Sequence, residues 1–396
     1  MQVRPTTSPR FTRLGTLFAF MLGHFSHHLS TAAIVPLLPM IRDSLELDYL
    51  RSGLLLSAFS LSYGFAQLPT AAIADRVSKR QVVSAGLLVT GMSCIGAGLS
   101  GDYTQLLLCL VLMGVAGSTY HAPASAFLSQ IFGKDARGRS LGTHMIGGTS
   151  GLMAAPLVAI LVANATGSWR DSFLAMGCPV LLAGVLVWVV ARSQDRVSRE
   201  AAARVQVEPF DLRKTLGALG LLVAVALVTQ LLVSAMNSFL PLYMVDKHGV
   251  SKDFAGLMMM LVYGGGVLGG PLGGAISDRV GRKPVILLSV IAIGPLMLLV
   301  TVLPFGSVMI GAIALYGLFS VFRLPAIESL IADVVPVHRR ATVLGCYYFL
   351  SQETQGVSTP VLGWLMDQFG FNNGFGALAV VALGCSTLVL LVRRKV

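Results

Sequence analysis

Asp75-Arg76-Val77-Ser78-Lys79-Arg80 and Asp278-Arg279-Val280-Gly281-Arg282-Lys283 are the same short sentence written 203 positions apart. The first follows the second long apolar segment of the chain and the second follows the eighth. A charged turn led by Asp-Arg, repeated at half-chain spacing, predicts a duplicated unit of six membrane helices. The same offset aligns Arg137-Gly-Arg-Ser-Leu-Gly142 with Arg340-Ala-Thr-Val-Leu-Gly345, and Gly167 with Gly370. One constant register over so many residues argues for a 6+6 repeat.

Composition agrees. The 396 residues are 55% hydrophobic and only 12% charged, whereas soluble domains carry about 45–50% and 25%. The charges gather between apolar stretches of about 20 residues, the length that crosses about 30 Å of hydrocarbon as a helix. Twelve such stretches are predicted: roughly 14–40, 51–74, 81–100, 104–131, 140–164, 172–191, 216–244, 253–276, 284–303, 307–331, 341–366 and 374–392. The alternating ten-residue segments of a β-barrel are missing from the sequence. The expected fold is therefore an all-α polytopic membrane protein. Residues 1–191 form one six-helix bundle, 215–396 the other, and a polar linker over 192–214, part of it a surface helix, joins them.

The net charge of +11 is topological in origin. Of the 29 basic residues, 23 fall in the even-to-odd loops, the linker and the two ends. Five lie on the other side (Arg42, Arg51, Arg170, Lys247 and Lys252), and Arg323 lies inside a span. The positive-inside rule then puts both termini in the cytoplasm. No nucleic-acid partner is expected. The first apolar segment is too long for a signal peptide, carries three histidines and two prolines, and lacks a small-x-small cleavage site; it is expected to stay. The five cysteines are odd in number, lie within spans and form no CxxC, so neither a disulfide framework nor a metal site is expected from them.

Gly274-Ala-Ile-Ser-Asp278-Arg279-Val-Gly281-Arg282-Lys283 closely resembles the 2–3 loop signature of the major facilitator superfamily, and the likeness covers essentially the whole chain. The first copy departs from it, with Ala71 and Ser78 where glycines are usual. Trp169-Arg170-Asp171-Ser172-Phe173 is similar to the family's 5–6 loop. Gly23-His24, Tyr120-His121-Ala122-Pro123 and Gly147-Gly148-Thr149-Ser150-Gly151 resemble the fosmidomycin-resistance-type branch of drug:proton antiporters. Gly151-x-x-x-Ala155-Pro156-x-x-Ala159 resembles the glycine-proline motif of antiporters, with alanine at two expected glycines. The resemblance implies two bundles rocking about a midplane site lined by spans one, four, seven and ten. It also implies a cell membrane, a bacterial inner membrane by this branch, and a chain that works as a monomer.

Several residues are candidates for the work. Asp75, Arg76, Arg80, Asp278, Arg279, Gly281 and Arg282, with Glu328 and Asp333, form the expected gate, in which carboxylates and arginines pair across short turns and bias a two-state equilibrium. The bland alternative is a set of solvated charges of little energetic weight. His24, His27 and His28 fall within about 100° of one face of span one. Imidazole changes charge near neutral pH, so this face can carry protons or meet an anion; alternatively each ring bonds a neighbouring carbonyl or serine. A metal is the lesser reading, because no carboxylate lies nearby in the span. Tyr120 and His121 lie near mid-membrane in span four, and span seven offers Thr229, Gln230 and Asn237. Arg323, at the middle of span ten, costs at least about 2.5–3.5 kcal/mol to insert and needs a partner. Glu353 matches it in depth and is read either as a structural staple or as the proton carrier, with Arg323 as substrate anchor.

No phosphate-binding loop, nucleophile elbow or zinc-protease signature is present in the sequence, so neither catalysis nor a cofactor is expected. The reading is a proton-coupled secondary transporter exporting a small organic molecule, anionic or amphiphilic, by alternating access. Its rivals are an uptake symporter for an organic anion or sugar, and a non-transporting sensor or scaffold that keeps the fold.

Overall fold

The computed structural model describes residues 10–47, 49–196, 212–250, 252–351, 368–369 and 371–392, and every regular element among them is helical. In chain order these are α1 (Arg10–Thr31), α2 (Ile34–Ser44), α3 (Tyr49–Arg76), α4 (Lys79–Gly98), α5 (Tyr103–Gly117), α6 (His121–Ile131), α7 (Lys134–Thr166), α8 (Trp169–Val190), α9 (Leu212–His248), α10 (Lys252–Val280), α11 (Arg282–Val302), α12 (Ser307–Phe322), α13 (Leu324–Val334) and α14 (Phe371–Val392). Residues 340–351 are helical as well, and so are 192–196 of the linker; 197–211 lie outside the described residues. Seven helices, counting α5–α6 and α12–α13 as one each, are long and apolar enough to cross a membrane among the described residues.

Three expected spans are broken at mid-length. Span one breaks at residues 32–33, between α1 and α2; span four at 118–120, between α5 and α6; and span ten at Arg323, between α12 and α13. Each break precedes a proline: Pro36, Pro123 and Pro325. Proline brings no N–H and crowds the carbonyl four residues back, so the preceding turn opens. Side-chain donors reach carbonyls in the turn before each break. Ser30 and Thr31 hydroxyls each reach His27 O at 2.9 Å, Thr119 Oγ1 reaches Ala116 O at 2.7 Å, and Arg323 reaches Ser320 O at 2.5 Å. His121 and Leu324, which restart the helix in spans four and ten, are 203 positions apart. The repeat thus carries its helix break in register.

The chain divides into two compact units that do not coincide with the sequence halves. One holds Met1–Gly133, His144–Pro209 and Val335–Phe349; the other holds Lys134–Thr143, Phe210–Val334 and Leu350–Val396. The start of α7 therefore belongs with the C-terminal unit, and the segment around residue 340 with the N-terminal one. Each unit has an apolar core. In the first it includes Leu37, Ile41, Leu106, Met113 and Phe173, and in the second Met236, Tyr243, Met297, Ile313 and Tyr316. In the second unit, Gly265, Gly269 and Gly273 form a stripe at four-residue spacing on α10. A methyl there would meet the backbone of α12 at Gly317, Leu318 and Phe322. Small residues admit this backbone-to-backbone approach where dispersion, not the hydrophobic effect, holds helices together.

Candidate functional site

The face predicted on α1 is assembled with two more helices into a five-histidine cluster. His24, His27 and His28 come from α1, His121 from the first residue of α6, and His144 from α7. Ring centroids of His24, His28 and His121 lie 5.0, 5.0 and 5.1 Å apart. His144 stacks on His24 at 4.3 Å, and His27 lies 5.2 Å from Tyr120 and 5.3 Å from His121. Three tyrosines close the group: Tyr120, Tyr63 of α3 at 6.4 Å from His121, and Tyr348 at 5.5 Å. His144, Tyr63 and Tyr348 were not foreseen. His144 lies three residues before Gly147-Gly148, a signal that places it on the face of α7 beside those glycines.

Those glycines are what bring α7 against α1. A methyl on Gly148 would strike the His24 ring, one on Gly147 the Met21 carbonyl, and one on Gly151 the Phe25 carbonyl and His28 Cβ. The motif is thus the mould of the histidine face.

The polar accounting in the cluster is uneven. His24 Nδ1 lies 3.1 Å from the His144 carbonyl, so one ring nitrogen has the bland partner expected of a structural histidine. The Tyr120 hydroxyl donates to Phe20 O and lies 3.2 Å from His144 Nε2. But His24 Nε2, both nitrogens of His27, and His144 Nδ1 are buried with no hydrogen-bond partner. Buried polar atoms left this way call for a ligand, a proton or water. His28 and His121 keep partial exposure, whereas His24 is 2% exposed.

In the second unit Arg323 is fully buried. It donates to Gln230 Oε1 at 2.6 Å, the span-seven residue singled out from the sequence. Gln230 in turn donates to Ser234 Oγ at 3.3 Å, while Tyr316 joins Asn237 Oδ1 at 3.0 Å. Thr229 is spent on its own helix, reaching Val225 O. Glu353, the expected partner of Arg323, lies outside the described residues.

The duplicated loops make one motif twice. Asp75 accepts from the backbone N–H groups of Ala341 and Thr342 at 3.0 and 2.7 Å. Asp278 accepts from Gly138 and Arg139 at 2.9 and 2.8 Å. All three pairs of positions obey the 203-residue offset. Asp75 therefore sits on the first turn of the helix that begins at residue 340, where unpaired N–H groups and the helix dipole favour an anion, and Asp278 sits on the second turn of α7. Around this shared core the copies differ. Asp278 also binds Arg282, which reaches Asp333 at 3.3 Å and Lys134 O at 2.7 Å, and Asp333 pairs with Arg137. Asp75, among the described residues, pairs with one charged side chain, Lys79, at 3.7 Å. The position matching Asp333 is Gln130, and Arg340 instead reaches Ser129 at 3.3 Å.

Of the other expected gate residues, Arg76 and Arg279 are exposed, and Glu328 is buried. Arg80 turns to the end of span six: it lies over the Trp188 ring at 4.2 Å and 3.6 Å from Asp195. Ser78 donates to the same Asp195 at 2.8 Å. Asp195, a linker residue, was not anticipated. Gly281 has φ of 95°, a left-handed conformation that suits glycine. Ser78, its counterpart, has φ of −65° and caps α4 by accepting from Gln81. The missing glycine of the first copy is thereby explained.

The sequence pattern of the Major Facilitator Superfamily matches residues 20–251 and again 222–396. The chain belongs to the Major Facilitator Superfamily. It is 23% identical over 371 residues to the fosmidomycin resistance protein of Escherichia coli K12, covering 91% of this chain and 88% of that one. It is 25% identical over 392 residues to the hexuronate transporter of Bacillus subtilis 168, covering 92% of each. Among solved structures, the human organic anion transporter MFSD10 superposes with a TM-score of 0.79 at 17% identity, over 96% of this chain and all of that one. As a member of this superfamily the chain is a multi-pass membrane transporter of twelve helices, and the resemblance to the fosmidomycin-resistance branch stands with it.

Proposed function

We propose that this transporter exports a small organic anion in exchange for protons by alternating access, with the repeats 1–191 and 215–396 as the moving bundles and residues 192–214 as their cytoplasmic linker. The observation that carries the reading is the histidine cluster at the break of span four, with buried ring nitrogens that lack protein partners. Imidazole can take and release a proton near neutral pH, which carboxylates and lysines do only when strongly perturbed. Intramembrane ionisable groups at a discontinuous helix mark ion and substrate paths in transporters. Arg323, fully buried and donating to Gln230, is assigned as the anchor of the anion, and Glu353 as the coupling proton carrier.

The likeness to a resistance protein supports export over uptake in this proposal; the likeness to a hexuronate transporter favours an acidic substrate and keeps uptake as the second reading. Asp75 and Asp278 are the gate in this scheme. Alternating access requires the starts of spans five and eleven to leave these carboxylates, and the exposed Arg76 and Arg279 serve orientation, with both termini in the cytoplasm of a bacterial inner membrane.

The test is purified protein in liposomes with a pH-sensitive dye inside and a panel of fosmidomycin, hexuronates and apolar cations outside. Proton flux driven by an anion, and reduced at least about tenfold in His121→Ala and Arg323→Ala, is the expected result. Flux driven only by the cations, or anion flux indifferent to both substitutions, overturns the assignment. Full gradient-driven accumulation in Glu353→Gln removes that residue as proton carrier.

A further inference from the structure

We propose that His24, His28 and His121 form a binding site for a first-row divalent cation of the zinc type. The coordinating nitrogens of these three rings lie within 4.8 Å of one another. The stronger argument is the shape of the triangle. Zinc–imidazole bonds of about 2.0–2.1 Å at tetrahedral angles, with each centroid about 1.2 Å beyond its nitrogen, set three ring centroids about 5.2 Å apart. The observed separations are 5.0, 5.0 and 5.1 Å. The ring centroids already have the spacing of a facial three-nitrogen set, and binding asks the rings to turn their nitrogens inward, from within 4.8 Å of one another to the roughly 3.4 Å of tetrahedral ligation.

The sequence argued against a metal because span one offers no carboxylate beside its histidines. The third ligand comes instead from another helix, at the break in span four, and three imidazoles suffice for zinc with one position left open. His24 is fixed from behind: His144 stacks on it, the His144 carbonyl engages its Nδ1, and Gly148 leaves the room its ring occupies. The other nitrogen, Nε2, has no protein partner and packs against Gly148; it serves as the ligand atom once the ring tips away from α7. A second ring nitrogen held by a backbone carbonyl is the usual way a ligating histidine is oriented. His28 and His121 supply the other two nitrogens and, being partly exposed, the route of entry. All-nitrogen ligation selects zinc, cobalt, nickel or copper over magnesium or calcium. Three neutral ligands leave the ion its full charge, so the open position favours hydroxide or an anionic ligand oxygen. This site stands independently of export: the ion is either held in place or carried, and both need the same three rings.

The experiment uses full-length, tag-free protein in nanodiscs titrated with cobalt(II) alone. Expected is a stoichiometric visible spectrum of tetrahedral type, abolished by equimolar zinc. His28→Ala and His121→Ala should each weaken it at least about tenfold, the loss expected when a metal site is damaged, while His248→Ala should leave it unchanged. No such spectrum at millimolar cobalt, or one that persists in the His28→Ala/His121→Ala double variant, overturns the proposal. Carbethoxylation of the unmodified protein read by mass spectrometry decides the matter should the variants misfold: zinc must protect His24, His28 and His121 but not His248 and His338, and unprotected reaction at the three sinks it. Zinc counterflow into liposomes then separates cargo, which accumulates, from a resident ion, which does not. Proton-coupled anion flux that survives chelation, with no cobalt spectrum, removes the metal site and leaves the transport reading intact.

Discussion

Tyr120 sits where two kinds of order meet. It is 1% exposed, it ends the broken turn before α6, and its hydroxyl ties span four to span one at Phe20 O. Tyr120→Phe removes that tie at nearly constant volume, so a loss of about 0.5–1.5 kcal/mol is expected, read as a lower unfolding temperature in detergent. Gly148→Ala tests the opposite limit. The added methyl has nowhere to go but into the His24 ring, and overpacking of this kind costs about 1–3 kcal/mol. Cobalt affinity and anion-driven proton flux should both fall in this variant, although no histidine has been changed. If both remain at the wild-type level, His24 is not held by α7 in the way described. Gly281 gives a third case: alanine there meets a φ of 95°, and strain of about 1–2 kcal/mol is expected. Ser78→Ala, in the matching turn, has no such strain to bear; it loses the cap on α4 and the bond to Asp195.

At the scale of helices, each duplicated aspartate binds two backbone N–H groups near the start of a helix far away in sequence. Asparagine in its place keeps one acceptor oxygen and loses the charge that favours the helix dipole. Asp75→Asn should therefore speed amide exchange at Ala341 and Thr342, and Asp278→Asn at Gly138 and Arg139, each leaving the other turn alone. Hydrogen-exchange mass spectrometry reads this directly, and exchange that stays slow in both variants counts against the caps. The two latches should not weaken alike. Asp278 anchors an ion network through Arg282, Asp333 and Arg137, and removing one member leaves buried charges short of a partner, which costs more than an exposed pair. Asp75 is joined by Lys79 alone among charged side chains bonded to it in the described residues. Asp278→Asn is thus expected to slow transport more than Asp75→Asn. Equal effects would mean that the shared backbone caps, and not the charge network, set the gate.

Over the whole molecule, the repeat was legible because it is linear information. Charge clusters between 20-residue apolar runs decide topology through bilayer thickness and loop charge, and a 203-residue offset survives in any alignment of the chain with itself. Half of the histidine site was legible for a similar reason: His24, His27 and His28 lie on one helix, where 100° per residue fixes their common face. The rest was not. His144 joins them because Gly147, Gly148 and Gly151 let two backbones approach, and His121 because span four, broken at 118–120 ahead of Pro123, restarts at this residue; neither contact has a period to read. Arg80 likewise belongs by sequence to the gate loop, yet packs on Trp188 and Asp195. By itself the sequence determined the family, the twelve spans and the duplicated charged loop, since these follow from hydropathy, charge and repetition along the chain. Only the tertiary structure decided which side chains share a site, because that depends on how closely helices distant in sequence can pack.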